Sequence, residues 1–190
     1  MPGRCKTRLI PALGAEGAAR LAGALLAHTV ARVTEGQVAP AVLCCHPDAA
    51  DPAFAPFSLE KWNQRGTDLG ERMYRGAVRA LEEAEGVLLI GSDCPGYSAG
   101  YLESALAALG RNDLVLGPAR DGGYVLLGLK RVERALFQEV PWGTGRVLEE
   151  TLRRAEELGW SAGVLEPLWD VDRPEDLARL RREYPAISPG

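Results

Sequence analysis

Apolar positions recur at helical spacing in "LGAEGAARLAGALLAHTVARV", where Leu21, Ala24, Leu25 and His28 share a face. The pattern predicts a helix from about Ala15 to Val33. The apolar run "QVAPAVLCC" then predicts a strand, with Pro40 near its start where a missing N–H is tolerated. "HPDAADPAFAP" reads as loop. In "DLGERMYRGAVRALEEAE", Leu69, Met73, Ala77, Ala80 and Leu81 line one face of a second helix that begins near Thr67 or Asp68.

"GVLLIGSDCP" holds the clearest strand, because the unbroken run Val87 to Ile90 predicts burial on both faces, as in a parallel sheet covered by helices. A helix in "SAGYLESALAALG" follows, then strands in "DLVLGPA" and "GGYVLLGL". "TGRVLEETLRRAEELG" predicts a long helix stopped by Gly159, "SAGVLEP" a strand, and "RPEDLARLRREY" a closing helix with Pro174 in its first turn. Strands alternating with helices indicate an α/β sandwich with a mostly parallel sheet. No repeat and no low-complexity linker divides the chain, so residues 1–190 are expected to form a single domain.

The formal net charge of −4 argues against general affinity for nucleic acid, which would want a basic surface. Cys5, Cys44, Cys45 and Cys94 form no C-x-x-C pair, and His28 and His46 complete no zinc pattern. Incidental thiols in a reducing cytoplasm are the expectation. The apolar stretch Leu21–Val30 is too short for a membrane span and is interrupted by His28, so no membrane partner is expected.

In an open α/β sheet, ligands collect at the carboxyl ends of the strands. Asp93, emerging directly after a buried strand, would offer a hard oxygen ligand to Mg²⁺ or Mn²⁺ shared with phosphate oxygens. It lies too early to cap the next helix, for which Ser98 serves. In "LWDVDRPEDL", Asp170 and Asp172 point to one side of an extended segment and Val171 to the other. Two such carboxylates call for a cation between them, although Asp172 with Glu175 also resembles a capping box. "GPARDGGYVLLGL" places two glycines after Asp121, which suits either a ligand lying against the backbone or an Asp-Gly hairpin turn. Gln64 and Arg65 stand in a polar loop entering a helix, whose entry explains Thr67 and Asp68 equally well. The first residues, "MPGRCKTRL", combine a Pro-Gly turn with three cations, as in a phosphate-holding loop.

Taken in order, "PGRCKTRL", "GTDLGERM", "GSDCPG", "GPARDGGYVLLGL", "VPWGTGRVLEETL" and "WDVDRPEDL" resemble the bacterial glycosyltransferase-A-like proteins, which include glycosyltransferases of arsenosugar biosynthesis. Their superfamily is that of the nucleotide-diphospho-sugar transferases. The resemblance implies a Rossmann-like three-layer sandwich with a nucleotide site. It implies that Gly3, Lys6 and Arg8 wrap the phosphates, and that Asp93 binds the divalent metal with Asp172 as second ligand and Asp170 as its neighbour. Gln64 and Asp68 would lie near the base, and Asp121, Gly122 and Gly123 would approach the donor or acceptor. The family begins with an apolar strand ahead of the phosphate loop, and this sequence starts at Met1 without it. The expectation is that this strand belongs inside the sheet, between "QVAPAVLCC" and "GVLLIGSD", and leaves a gap there.

Three functions compete. The first is a metal-dependent glycosyltransferase that passes a sugar from a nucleoside diphosphate to a small-molecule acceptor, with Asp121 as general base. The second is a nucleotidyltransferase joining a nucleoside triphosphate to a phosphorylated acceptor. The third is an inactive or truncated nucleotide-binding homologue. A homo-oligomer is left open.

Overall fold

The computed structural model describes residues 2–187. A 3₁₀ turn, Thr7–Leu9, leads straight into α1, Ile10–Glu35. α1 therefore begins earlier than the apolar periodicity indicates. Pro11 is favourable in its first turn, and Gly14, at φ 68°, carries a kink that a side chain would resist. β1 (Val42–Cys45), β2 (Glu60–Asn63), α2 (Leu69–Leu81) and β3 (Val87–Ile90) follow. Then come α3 (Ala99–Arg111), β4 (Leu114–Pro118), β5 (Tyr124–Leu129), α4 (Val147–Glu157), β6 (Ala162–Val164) and α5 (Asp176–Glu183). β2 has no counterpart in the sequence reading. "EKWN" alternates weakly and is identified only by its parallel pairing with β1.

The strands form two sheets, β1-β2 and β3-β5-β4-β6. The larger sheet is partly parallel, which corrects the expectation of a mostly parallel one. β4 pairs in parallel with β6, whereas β5 runs antiparallel to both β3 and β4. The short "DGG" link decides this, since a few residues can turn a strand back but cannot make the long crossover a parallel neighbour needs. β3 ends this sheet, and its four apolar residues are half-buried rather than buried on both faces. β1 and β3 are not paired with each other, and the two sheets are separate.

Helices cover both faces of the larger sheet. Leu114, Leu116, Leu127 and Leu129 pack with Ala77 of α2 and Ala155 of α4 on one side. Val115, Val125 and Leu126 pack with Leu102, Ala105 and Leu109 of α3 on the other. This is a three-layer α/β domain. A third cluster joins Leu9, Leu21 and Leu25 at and along α1 to Trp169, Val171 and, from α5, Leu177 and Leu180. By length and composition the helical stretch Thr7–Glu35, kinked at Gly14, would suffice to cross a membrane, so its apolar stretch is longer than the sequence reading took it to be. Leu9, Leu21 and Leu25 are buried inside the fold, and Leu13 and Leu26 are half-buried.

Candidate active site

Because β3 and β4 both run against β5, and β6 runs with β4, the strands β3, β4 and β6 point the same way. Their carboxyl ends share one margin of the sheet, where ligands of α/β folds gather. Asp93 follows β3, Asp121 follows β4, and Asp170 and Asp172 follow β6.

Backbone bonds draw these ends together. Leu168 N–H donates to the carbonyl of Pro118 at 2.9 Å, and Val171 N–H donates to the carbonyl of Asp93 at 2.9 Å. The segment 168–172 thus crosses from the margin of β4 to the loop after β3. Val171 is fully buried against α1 and α5, so the alternation of an extended chain turns Asp170 and Asp172 the other way.

Two cations meet these carboxylates. Lys6, in the left-handed backbone region at φ 48°, donates its ammonium to the Val171 carbonyl and lies 2.8 Å from Oδ2 of Asp93. Its side chain is only 5% exposed, against 48% for Asp93. Arg8, which is 54% exposed, forms an ion pair with Oδ2 of Asp172. All four groups line one pocket of about 380 Å³, together with Cys5, Thr7, Ala22 and Ser92. From the body of α1, His28 Nε2 bonds the Pro95 carbonyl at 3.0 Å and the Thr29 hydroxyl donates to the Ser92 carbonyl. One helix therefore supports the cationic loop at its start and the Asp93 loop along its length.

Asp172 does not cap α5. The N-cap position is Glu175, without a side-chain cap, and Asp176, the first residue of α5, turns its Oδ2 back to accept from the N–H groups of Asp172 and Arg173 at 3.0 and 2.7 Å. That corrects the capping-box reading and leaves the Asp172 carboxylate to Arg8. Burial pushes the Asp170 carboxyl above the usual carboxylate range, and the Asp121 charge adds to the shift while Lys6 opposes it.

Asp121 accepts from Gly123 N–H at 2.9 Å, which closes the turn into β5. Gly122 sits at φ 87°, and a Cβ there would lie 2.2 Å from the Gly145 carbonyl oxygen, so the turn is pressed against the entry to α4. Leu148 N–H reinforces this contact by donating to the Gly122 carbonyl at 3.0 Å. Asp121, Gly122 and Gly123 therefore stand at the same margin of the sheet but do not line the pocket of Lys6 and Arg8.

Gln64 and Asp68 are also outside that pocket. Gln64 Nε2 donates to the Cys44 carbonyl at 3.1 Å beside the smaller sheet, and Asp68 caps α2 by accepting from Glu71 N–H at 2.8 Å. Gly3, at φ 79°, shapes the turn ahead of Lys6 without lining the pocket. The sequence reading missed Ser92, Thr7 and the Val171 carbonyl. Ser92 was within reach of inspection as the neighbour of Asp93; a backbone carbonyl brought in by tertiary contact was not.

Two carboxylates on one pocket suit a small divalent ion, which takes one or two of them and completes its shell with phosphate oxygens and water. Among the described residues, no group of three or more His, Cys, Asp or Glu side chains is arranged to hold a metal. Phosphate oxygens and water would have to supply the remaining ligands.

No curated protein matches this sequence. Among solved structures, it is similar to a provisionally assigned nucleotide-diphospho-sugar transferase from Desulfovibrio desulfuricans G20. The identity is 29% and the TM-score 0.86, over 97% of this chain and 84% of that one. The fold is therefore that of a nucleotide-diphospho-sugar transferase. A family model also matches residues 29–144, a span that includes Asp93 and the Asp121 turn. The chain belongs to the family described as an uncharacterised protein conserved in bacteria, DUF2064.

Proposed function

We propose that this protein is a soluble, cytoplasmic transferase that binds a nucleoside-diphosphate sugar and passes the sugar to a small-molecule acceptor. The observation that carries the reading is the interleaving of Lys6, Arg8, Asp93 and Asp172 on one pocket at the carboxyl ends of the strands. Charges of both signs converging on one concavity suit a ligand that brings phosphate and a cation together. The similar structure from Desulfovibrio desulfuricans G20 supports the donor class. Glycosyl transfer is also the reaction class implied by the arsenosugar-type resemblance.

In this reading Lys6 and Arg8 receive the diphosphate, and Asp93 and Asp172 hold Mg²⁺ or Mn²⁺ against it, with Asp170 nearby. Such an ion, once bound, neutralises the charge that develops on the departing diphosphate. The Asp121 turn faces the other side of the donor, where its carboxylate would accept the acceptor hydroxyl proton. Gly122 and Gly123 let the sugar or acceptor lie close to the backbone. Gln64 and Asp68 belong to the structure of the β2–α2 link, and no role with the base is assigned to them.

The test is a thermal-shift panel of nucleotides and nucleotide sugars, with and without Mn²⁺, because a ligand that binds the folded state raises Tm by mass action. Stabilisation by a nucleotide sugar with Mn²⁺, followed by its turnover, supports the reading. A null panel supports an inactive homologue. Arg4, exposed and in no ion pair among the described residues, adds a third cation beside the pocket and favours a second reading, nucleotidyl transfer from a triphosphate. Pyrophosphate release from triphosphates would establish that alternative.

A further inference from the structure

We propose that Arg8 is a two-position residue. In one position it pairs with and neutralises Asp172; when a phosphate enters, it transfers to the phosphate, and only then does Asp172 become available to a divalent cation. This rests on the nucleotide-sugar reading above and adds an order of assembly to it.

The two cations of the pocket are not equivalent. Lys6 is almost wholly buried and has two of its three ammonium donors committed, to Asp93 and to the Val171 carbonyl. Its third donor can meet a phosphate without leaving either partner. Arg8 is more than half exposed, and its partner is the Asp172 carboxylate. Exposed pairs of this kind are weak, and a diphosphate offers the guanidinium more charge and two-point geometry.

Asp172 does not follow Arg8 when it leaves. Its own N–H is held by Asp176, and the preceding residue is bonded to Asp93. Arg8 lies in the 3₁₀ turn ahead of α1, so a side-chain rotation suffices for the transfer. The pocket's charges also balance. Two carboxylates face two cations, so a bare divalent ion meets little net attraction until a phosphate adds negative charge.

The experiment compares wild type, Arg8→Ala, Arg8→Gln and the double variant Arg8→Ala/Asp172→Asn. Mn²⁺ binding is read from the electron-paramagnetic signal of the free ion, and inorganic pyrophosphate binding by calorimetry without metal. Both single substitutions should tighten Mn²⁺ binding about tenfold, a size typical of coupled sites, and weaken pyrophosphate binding. The double variant should lose the gain. Arg111→Ala, the same charge change at an exposed position in the last turn of α3, outside the pocket and with no carboxylate released, should leave Mn²⁺ affinity unchanged. Unaltered Mn²⁺ affinity in both single variants, an equal gain in Arg111→Ala, or a gain that survives Asp172→Asn would overturn the exchange while leaving the pocket's reading intact. Failure of wild type to bind pyrophosphate, with or without Mn²⁺, would remove the phosphate reading itself and the exchange with it.

Discussion

Val171 is bonded to Asp93 backbone to backbone, N–H to carbonyl at 2.9 Å, and its own carbonyl receives the Lys6 ammonium. This residue, hidden under α1 and α5, thereby joins three separate stretches of chain at the candidate site. Lys6 completes the junction, so removing it should affect both stability and ligand binding. Lys6→Ala should weaken pyrophosphate binding roughly tenfold or more, as expected for a lost charged hydrogen bond of about 1.5–3 kcal/mol. Calorimetry at low and high salt checks this, since the gap between variant and wild type should narrow as salt screens the charge. Equal affinities at low salt would count against the role.

Asp170→Asn should raise Tm at neutral pH. A carboxyl whose folded pKa stands above its unfolded one contributes full stability below the unfolded value and loses it as pH rises through the folded value. At neutral pH the ionised Asp170 is therefore a burden that the amide removes. The gain should shrink as the pH falls into the ordinary carboxylate range. Melting curves from acid to neutral pH decide it; a constant gain, or a loss at neutral pH, would contradict the shift.

Gly122→Ala should be severely destabilising, by about 2–5 kcal/mol from left-handed backbone strain plus overpacking. Gly143→Ala is the comparison: its φ is 77°, yet nothing lies within 4 Å of a Cβ there. That variant should pay the backbone strain alone, about 1–2 kcal/mol. Urea unfolding of the two variants separates steric contact from backbone strain, and equal losses would mean the Gly145 contact is soft.

Thiol labelling reports on the pocket directly. Cys94 is fully buried, and burial pushes its thiol up to about 11, so it should resist alkylation at neutral pH until the protein unfolds. Cys44 is exposed as a residue, and although burial of its thiol pushes its pKa up, it should react before Cys94. Cys5 lines the pocket between Arg4 and Lys6, so bound pyrophosphate should slow its labelling. Mass spectrometry of labelled peptides reads all three sites, and unprotected Cys5 would place the phosphate elsewhere.

Much of this site was legible in the sequence because its carboxylates follow apolar strands, and strand ends can be located from hydrophobic runs. Asp93 after Val87–Ile90 is the clearest case. The direction of β5 was harder to read. The Asp121–Gly122 turn announced a hairpin, but the surrounding alternation of strands and helices suggested parallel neighbours, and the local turn prevailed. Asp172 was ambiguous for another reason: only folding shows that α5 starts at Asp176, beyond the reach of an Asp172 cap, and that Asp176 turns back to hold the Asp172 N–H. Gln64 and Asp68 were drawn toward the nucleotide by resemblance, yet each has a local backbone partner that explains it.

The reversed strand β5 also sets a length. Lying between β3 and β4, it holds their carboxyl ends two inter-strand spacings apart, roughly 9.5 Å. The loop bearing Asp93 and the turn bearing Asp121 are then the two ends of a ruler. A ligand that engages both must be extended. A lone phosphate is too short to reach across. The hairpin that disrupts the parallel order of the sheet thus fixes the span that any ligand touching both loops would have to cover.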